Sequence, residues 1–107
     1  MEHYIYVIAS KQTPVKIGIT HDCQQRLKSL QTGHSDKLQI FHQEAVDKTK
    51  ARILEHIIHK NLKLKRSHGE WFNITVDEAI KEIQYCIITY ADDPILEYKY
   101  KNKLIKG

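Results

Sequence analysis

The sequence predicts a small α+β domain in which a three-stranded antiparallel sheet is flanked by helices. Three observations carry that prediction. An aromatic and β-branched run, residues 4–9, is followed after a short turn by a segment of period two. Capping residues precede three segments whose apolar positions recur every three or four residues. A length of 107 residues, 41% hydrophobic and 28% charged, suits one domain with a modest core.

Each element has its own local reason. Tyr4 to Ala9 favours a pleated, half-buried strand, and Lys11-Gln12-Thr13-Pro14 reads as a turn. Beyond it Val15, Ile17 and Ile19 alternate with Lys16, Gly18 and Thr20, so one face is apolar and the two strands form an antiparallel pair. Asp22 is placed to cap a first helix, with Gln25 as its capping-box partner, an apolar stripe of Cys23, Leu27 and Leu30, and Gly33 as the stop. Residues 38–46 supply a third strand. Asp47 caps a second helix that turns Ala51, Leu54, Ile58 and Leu62 inward. Residues 63–70 read as a basic loop, and Trp71, Phe72 and Ile74 as a short apolar stretch. Thr75-Val76-Asp77-Glu78 is a second capping box, opening a helix with Ile80, Ile83 and Ile87 inward and Asp92-Asp93-Pro94 at its end. The expected division is a domain over residues 1–91 and a basic tail over 92–107, packed on that domain or extending it.

Composition narrows the function classes. The net charge of +4 and pI of ≈ 9.0 favour a polyanion as partner. Lysine and arginine cluster over residues 60–66, and Lys99, Lys101, Lys103 and Lys106 lie in the tail. Cys23 and Cys86 are far apart and form no Cys-x-x-Cys pair, which argues against a disulfide framework or a zinc ribbon. No apolar run is long enough for a bilayer, and the first ten residues lack the pattern of a signal peptide, so the expected location is cytoplasmic.

An ordered set of motifs then points to a family. Tyr4-Ile5-Tyr6, Lys16-Ile17-Gly18, Arg26 eight residues later, Glu55 and Asn73 occur in the order of the GIY-YIG nuclease superfamily. The chain most resembles the phage-type, Orf172-like branch of that superfamily, whose second motif reads Lys-Ile-Gly. Arg26-Leu27 with Leu30-Gln31-Thr32-Gly33, Glu55-xxx-His59 and Gly69-Glu70-Trp71-Phe72 extend the likeness, which covers residues 4–75.

The resemblance implies a metal-dependent DNA endonuclease. Glu55 would be the metal ligand; a single carboxylate plus waters and phosphate oxygens suits one Mg²⁺ or Mn²⁺ ion. Tyr6 would act as general base, although a phenol with a pKa near ~10 needs neighbouring cations to ionise readily. Lys16 and Arg26 are the expected source of that field, and both would stabilise charge on the scissile phosphate. Lys16 shares a strand face with Gly18, where the missing side chain would leave space for a ligand backbone. Tyr4, Gly18, His34, His59, Lys63, Lys65, Arg66 and Asn73 are the expected substrate-binding residues, and His56, next to Glu55, is expected to point elsewhere. Products would carry 5′-phosphate and 3′-hydroxyl ends. One centre cuts one strand, so double-strand cleavage would need a homodimer or two events. A bacterial, phage or viral origin fits this branch. Two departures, Tyr4 where the first motif has glycine and Lys16 where the second has tyrosine, sustain an alternative: a DNA-binding module on the same fold that cleaves weakly or not at all. A protein-interaction domain is the third reading.

Overall fold

The computed structural model describes residues 2–90 and 92–93. Strands β1 (Glu2–Ala9), β2 (Val15–Thr20) and β3 (Gln39–Asp47) are joined by two shorter ones, β4 (Arg66–His68) and β5 (Trp71–Phe72). Helices α1 (Cys23–Gln31), α2 (Lys48–Asn61) and α3 (Val76–Tyr90) complete the domain. The α+β prediction holds, with one correction. The sheet has five antiparallel strands in the order β3-β1-β2-β5-β4, not three. The extra hairpin escapes a pattern search because β5 has two residues and all three of β4 are exposed, so neither shows a period. Residues expected to form a basic loop therefore make a 3-10 turn, Lys63–Lys65, followed by strand β4. Gly69 reverses the chain between β4 and β5 at φ 54°, a conformation that glycine adopts without steric cost.

Alternation along β1 builds two cores. Ile5, Val7 and Ala9 join Val15, Ile17 and Phe72 on one face, beneath Leu54 and Ile58 of α2 and Ala79 and Ile83 of α3. Tyr6 and Ile8 lie on the other face with Cys23, Leu38 and Trp71, covered by Leu27 and Leu30 of α1. The sheet is thus the middle of three layers. Cys23 and Cys86 are free and buried, and they belong to the two different cores. Burial, helped by the Glu82 carboxylate, pushes the Cys86 thiol up to about 12, which makes it a packing group.

The caps form largely as the sequence indicates. Asp22 accepts from the Gln25 N–H at 3.1 Å, but its own N–H donates to Thr20 Oγ1 rather than to the Gln25 side chain. Thr75 and Glu78 cap reciprocally, at 3.1 Å and 2.9 Å. Helix α3 ends at Tyr90, whose carbonyl accepts from the Asp93 N–H at 3.1 Å. Pro94, expected to stop this helix, and the tail lysines lie outside the described residues.

Candidate active site

The early end of β5 creates the cleft. Strand β2 pairs with β1 from Lys16 to Thr20, but with β5 only at Val15 and Lys16. One more bond follows, from the Ile17 N–H to the Glu70 carbonyl at 3.2 Å. Past that point the β2 edge has no strand neighbour among the described residues on the β5 side, so the two layers of helices meet through a gap in the sheet. An open cleft of ≈ 460 Å³ lies there, lined by Ile19, Arg26, Arg52, Glu55, His56, His59, Arg66 and Glu70.

Helix α2 supplies four of these groups. Arg52, Glu55, His56 and His59 follow the spacing i, i+3, i+4, i+7 and form one polar stripe beside the apolar one. Glu55 is half-buried in the cleft. Burial, then the charge of Glu70 and a side-chain hydrogen bond between the two, push the Glu55 carboxyl up to about 7, against the pull of Arg52 and Lys16. His59 Nε2 lies 2.9 Å from the Ile17 carbonyl oxygen, and its ring centroid is 5.0 Å from that of Phe72. Burial holds His59 below the ordinary 6.5, so it is a neutral ring that donates Nε2–H. That bond places His59 as a brace between α2 and β2.

Tyr6 and Gly18 lie directly opposite each other in the β1–β2 register. The space above Gly18, expected to receive a ligand backbone, is filled instead. A Cβ at that position would fall 2.7 Å from Tyr6 Cζ and 3.1 Å from Glu70 Oε1. Tyr6 is fully buried, and its hydroxyl oxygen accepts from Arg26 Nε at 3.1 Å. The phenol is not activated as expected. Burial raises its pKa above 10.0, and Glu70 and Glu55 add to that, while Arg26 only partly offsets it. Lys16 is buried, and its ammonium lies 3.3 Å from Glu70 Oε1 and 5.6 Å from the centre of the Trp71 ring.

The structure therefore brings Tyr6, Lys16, Arg26 and Glu55 around one cleft, with Tyr6 and Lys16 beneath its floor and Arg26 and Glu55 in its wall. His59 and Arg66 line it as well, with the Arg66 guanidinium 5.6 Å from the Phe72 ring centre. The other expected substrate contacts lie apart. Tyr4 packs, half-buried, against the α1-side core. His34 is exposed, its ring 4.9 Å from Trp71. Lys63 and Lys65 are exposed on the 3-10 turn. Asn73 is exposed, and its N–H donates to the Lys65 carbonyl at 2.7 Å. His56, expected to point elsewhere, lines the cleft because a neighbour at i+1 lies only about 100° round a helix. Arg52, His56 and Glu70 are the polar cleft residues to which the motif reading gives no role. The polar i, i+3, i+4, i+7 stripe on α2 is a signal that finds the first two.

The donor set fits a hard divalent cation held mainly by non-protein oxygens. Among the described residues no group of three or more His, Cys, Asp or Glu side chains forms a metal cage. A half-buried carboxylate in an open cleft, beside guanidinium groups suited to phosphate, matches the sparse protein ligation that Mg²⁺ accepts.

The molecule is a three-layer α+β domain with a cleft of mixed arginine and carboxylate lining at a gap in its sheet. The chain belongs to the T5orf172 domain family, which matches residues 3–87. It is similar to the putative KilA-N domain-containing protein 315L of Invertebrate iridescent virus 6, with 33% identity over 99 residues. That alignment covers 83% of this chain and 43% of the relative, so the chain spans less than half of the viral protein's length. No solved structure matches. No helix among the described residues is long and apolar enough to cross a membrane.

Proposed function

We propose that this domain is a DNA-acting phosphodiesterase of the GIY-YIG type that uses one divalent ion. The observation that carries the reading is the convergence of Arg26, Arg66 and Glu55 on one open cleft, with the Tyr6 hydroxyl bonded to Arg26 beneath it. The relation to a viral KilA-N domain-containing protein supports a phage or viral setting and DNA as substrate. The net charge of +4 supports a polyanion in the same direction.

In this reading Glu55 holds Mg²⁺ or Mn²⁺, which when bound polarises the scissile phosphate and stabilises the leaving oxygen. Arg26 has its Nε committed to Tyr6, and that bond fixes the guanidinium plane so that its terminal nitrogens can meet phosphate oxygens. Arg66 contributes a second guanidinium to the lining. His59 keeps α2 registered on β2, and with it the height of Glu55 in the cleft. Tyr6 begins as a neutral phenol. It would act as base only as the phenolate, after losing its own proton to solvent, a loss that burial, Glu70 and Glu55 oppose and Arg26 favours; the phenolate would then take a proton from the attacking water.

Plasmid nicking with Mg²⁺ or Mn²⁺, comparing wild type with Glu55→Ala, tests the assignment; equal nicking by both would remove Glu55 from it. The second reading, a DNA-binding module without cleavage, draws on the full burial and raised pKa of Tyr6. DNA binding that persists in chelator, with no nicking under any divalent ion, would decide for it.

A further inference from the structure

Two further depressions lie on the outward face of α1, and together they continue the cleft. The first, of ≈ 280 Å³, is lined by Thr20 and His21 after the free edge of β2, and by Asp22, Gln25, Arg26 and Ser29. It shares Arg26 with the cleft, so one guanidinium stands between the two. The second, of ≈ 580 Å³, shares Asp22, Gln25 and Ser29 with the first and reaches on to Lys28 and Thr32. Helix geometry explains the continuity. At about 100° per residue, Arg26, Ser29, Gln25 and Lys28 follow one another round the face of α1 opposite its core stripe of Cys23, Leu27 and Leu30.

The chemistry of this face differs from that of the cleft. Helix α1 contains no acidic residue. The carboxylate at its edge, Asp22, accepts from the Gln25 N–H at 3.1 Å and so is committed to the cap. Gln25, Lys28 and Ser29 are exposed, and among the described residues no hydrogen bond or ion pair engages their side chains. They present an amide, an ammonium and a hydroxyl, donor types that meet DNA phosphates without reading the bases. A phosphate in the cleft meets the carboxylates of Glu55 and Glu70 as well as cations. On α1, beyond Arg26, it meets mainly donors.

We propose that a DNA strand leaving the cleft passes Arg26 and crosses the outward face of α1, where Gln25, Lys28 and Ser29 hold its phosphates. This inference rests on the reading of the domain as one that acts on DNA. It adds a binding track on the α1 side of the sheet, away from the basic 3-10 turn at Lys63–Lys65. Because the contacts are to backbone, the track contributes affinity and register, not sequence preference.

The test measures binding of a long mixed-sequence duplex by fluorescence anisotropy over a salt series, in chelator so that nothing is cut. Wild type is compared with Lys28→Gln, Ser29→Glu, Arg66→Gln and Lys81→Gln, with a thermal melt of each to establish folding. Lys81 is exposed on α3, across the sheet from α1, so its variant removes the same charge as Lys28→Gln from a surface off the track. Lys28→Gln is expected to lower the slope of log K against log salt by about 1, and Lys81→Gln to leave it unchanged. Ser29→Glu sets a carboxylate in the lining that the two depressions share, and should weaken binding by about 10-fold through like-charge repulsion. Binding by Lys28→Gln and Ser29→Glu that matches Lys81→Gln, beside weakened binding by Arg66→Gln, would overturn the track alone. An equal loss of slope in Lys28→Gln and Lys81→Gln would overturn it too, since net charge and not position would then govern. Absence of DNA binding in wild type at low salt would overturn the DNA reading itself, and this inference with it.

Discussion

The hydroxyl of Tyr6 and the bare Cα of Gly18 face each other across two paired strands, and the phenol occupies the volume that any side chain at position 18 would need. Glycine is required here for space and not for backbone conformation, since its φ lies outside the left-handed region. Gly18→Ala would set a methyl group 2.7 Å from Tyr6 Cζ. Overpacking of this kind destabilises by about 1–3 kcal/mol. Thermal melting should show that loss, and nicking should fall further than the melting loss explains, because the displaced phenol no longer seats Arg26.

Tyr6→Phe isolates the hydrogen bond from the packing. The ring remains, and Arg26 Nε loses its acceptor. Loss of a bond to a charged donor costs about 1.5–3 kcal/mol when the donor stays dry, and less where water can reach it, as it can at the cleft wall. We expect a stability loss near 1 kcal/mol by denaturant titration and a fall in nicking of two or more decades if Tyr6 also acts as base. A spectroscopic titration of wild type should show one tyrosine ionising above the ordinary phenol range.

Glu55 predicts a pH dependence whose sign can be worked out. Its folded pKa, about 7, lies above the 4.5 of an unperturbed carboxyl. Between those values the folded state holds more protons than the unfolded one, so stability falls as pH rises from about 4.5 to 7 and is level above. Glu55→Gln removes this dependence. The variant should be more stable than wild type at pH 8 by about 1–2 kcal/mol, after allowance for solvent screening in the open cleft, and should lose the advantage by pH 4. Parallel denaturation curves at the two pH values measure it. An identical difference at both would show that Glu55 is not desolvated in the free protein.

Arg66 should report on the nucleic acid. If it meets a phosphate from the cleft wall, Arg66→Gln lowers DNA affinity across all sequences and reduces the slope of log K against log salt by about 1. Fluorescence anisotropy over a salt series gives that slope. An unchanged slope would place Arg66 off the DNA path.

Thr75→Ala separates folding from function. It breaks one half of a reciprocal cap whose residues do not line the cleft. The expected loss is about 1 kcal/mol of stability with nicking unchanged at permissive temperature.

Much of this molecule is legible in its residues, and the limits have physical causes. The β1–β2 pair, the three helices and their caps follow from period and capping chemistry, which are local. Arg26 and Glu55 are readable through motif order alone, although 29 positions separate them. The hairpin that closes the site is not readable, because two-residue β5 and fully exposed β4 carry no periodicity. Glu70 stands in a quoted phrase, but its partner does not follow from it: Lys16 comes from another element, and only the register of that hairpin unites the two. The direction of the Tyr6 pKa is not legible in the sequence, because charge can be counted there and depth cannot. The two cations are visible, whereas the burial that outweighs them belongs to the tertiary structure.

The two-residue length of β5 has a consequence for how such a domain can diversify. The cleft exists because the sheet stops short there, so the hairpin acts as an adjustable shutter whose travel is set by the number of residues between Arg66 and Phe72. Lengthening it would continue the ladder along β2 and seal the gap, while rebuilding its tip around Gly69 would reshape the entrance. Rebuilding the tip around Gly69 leaves the core residues Trp71 and Phe72 of β5 in place. Relatives can therefore alter what enters this site by insertions at a single turn, leaving the foldable part of the chain as it is.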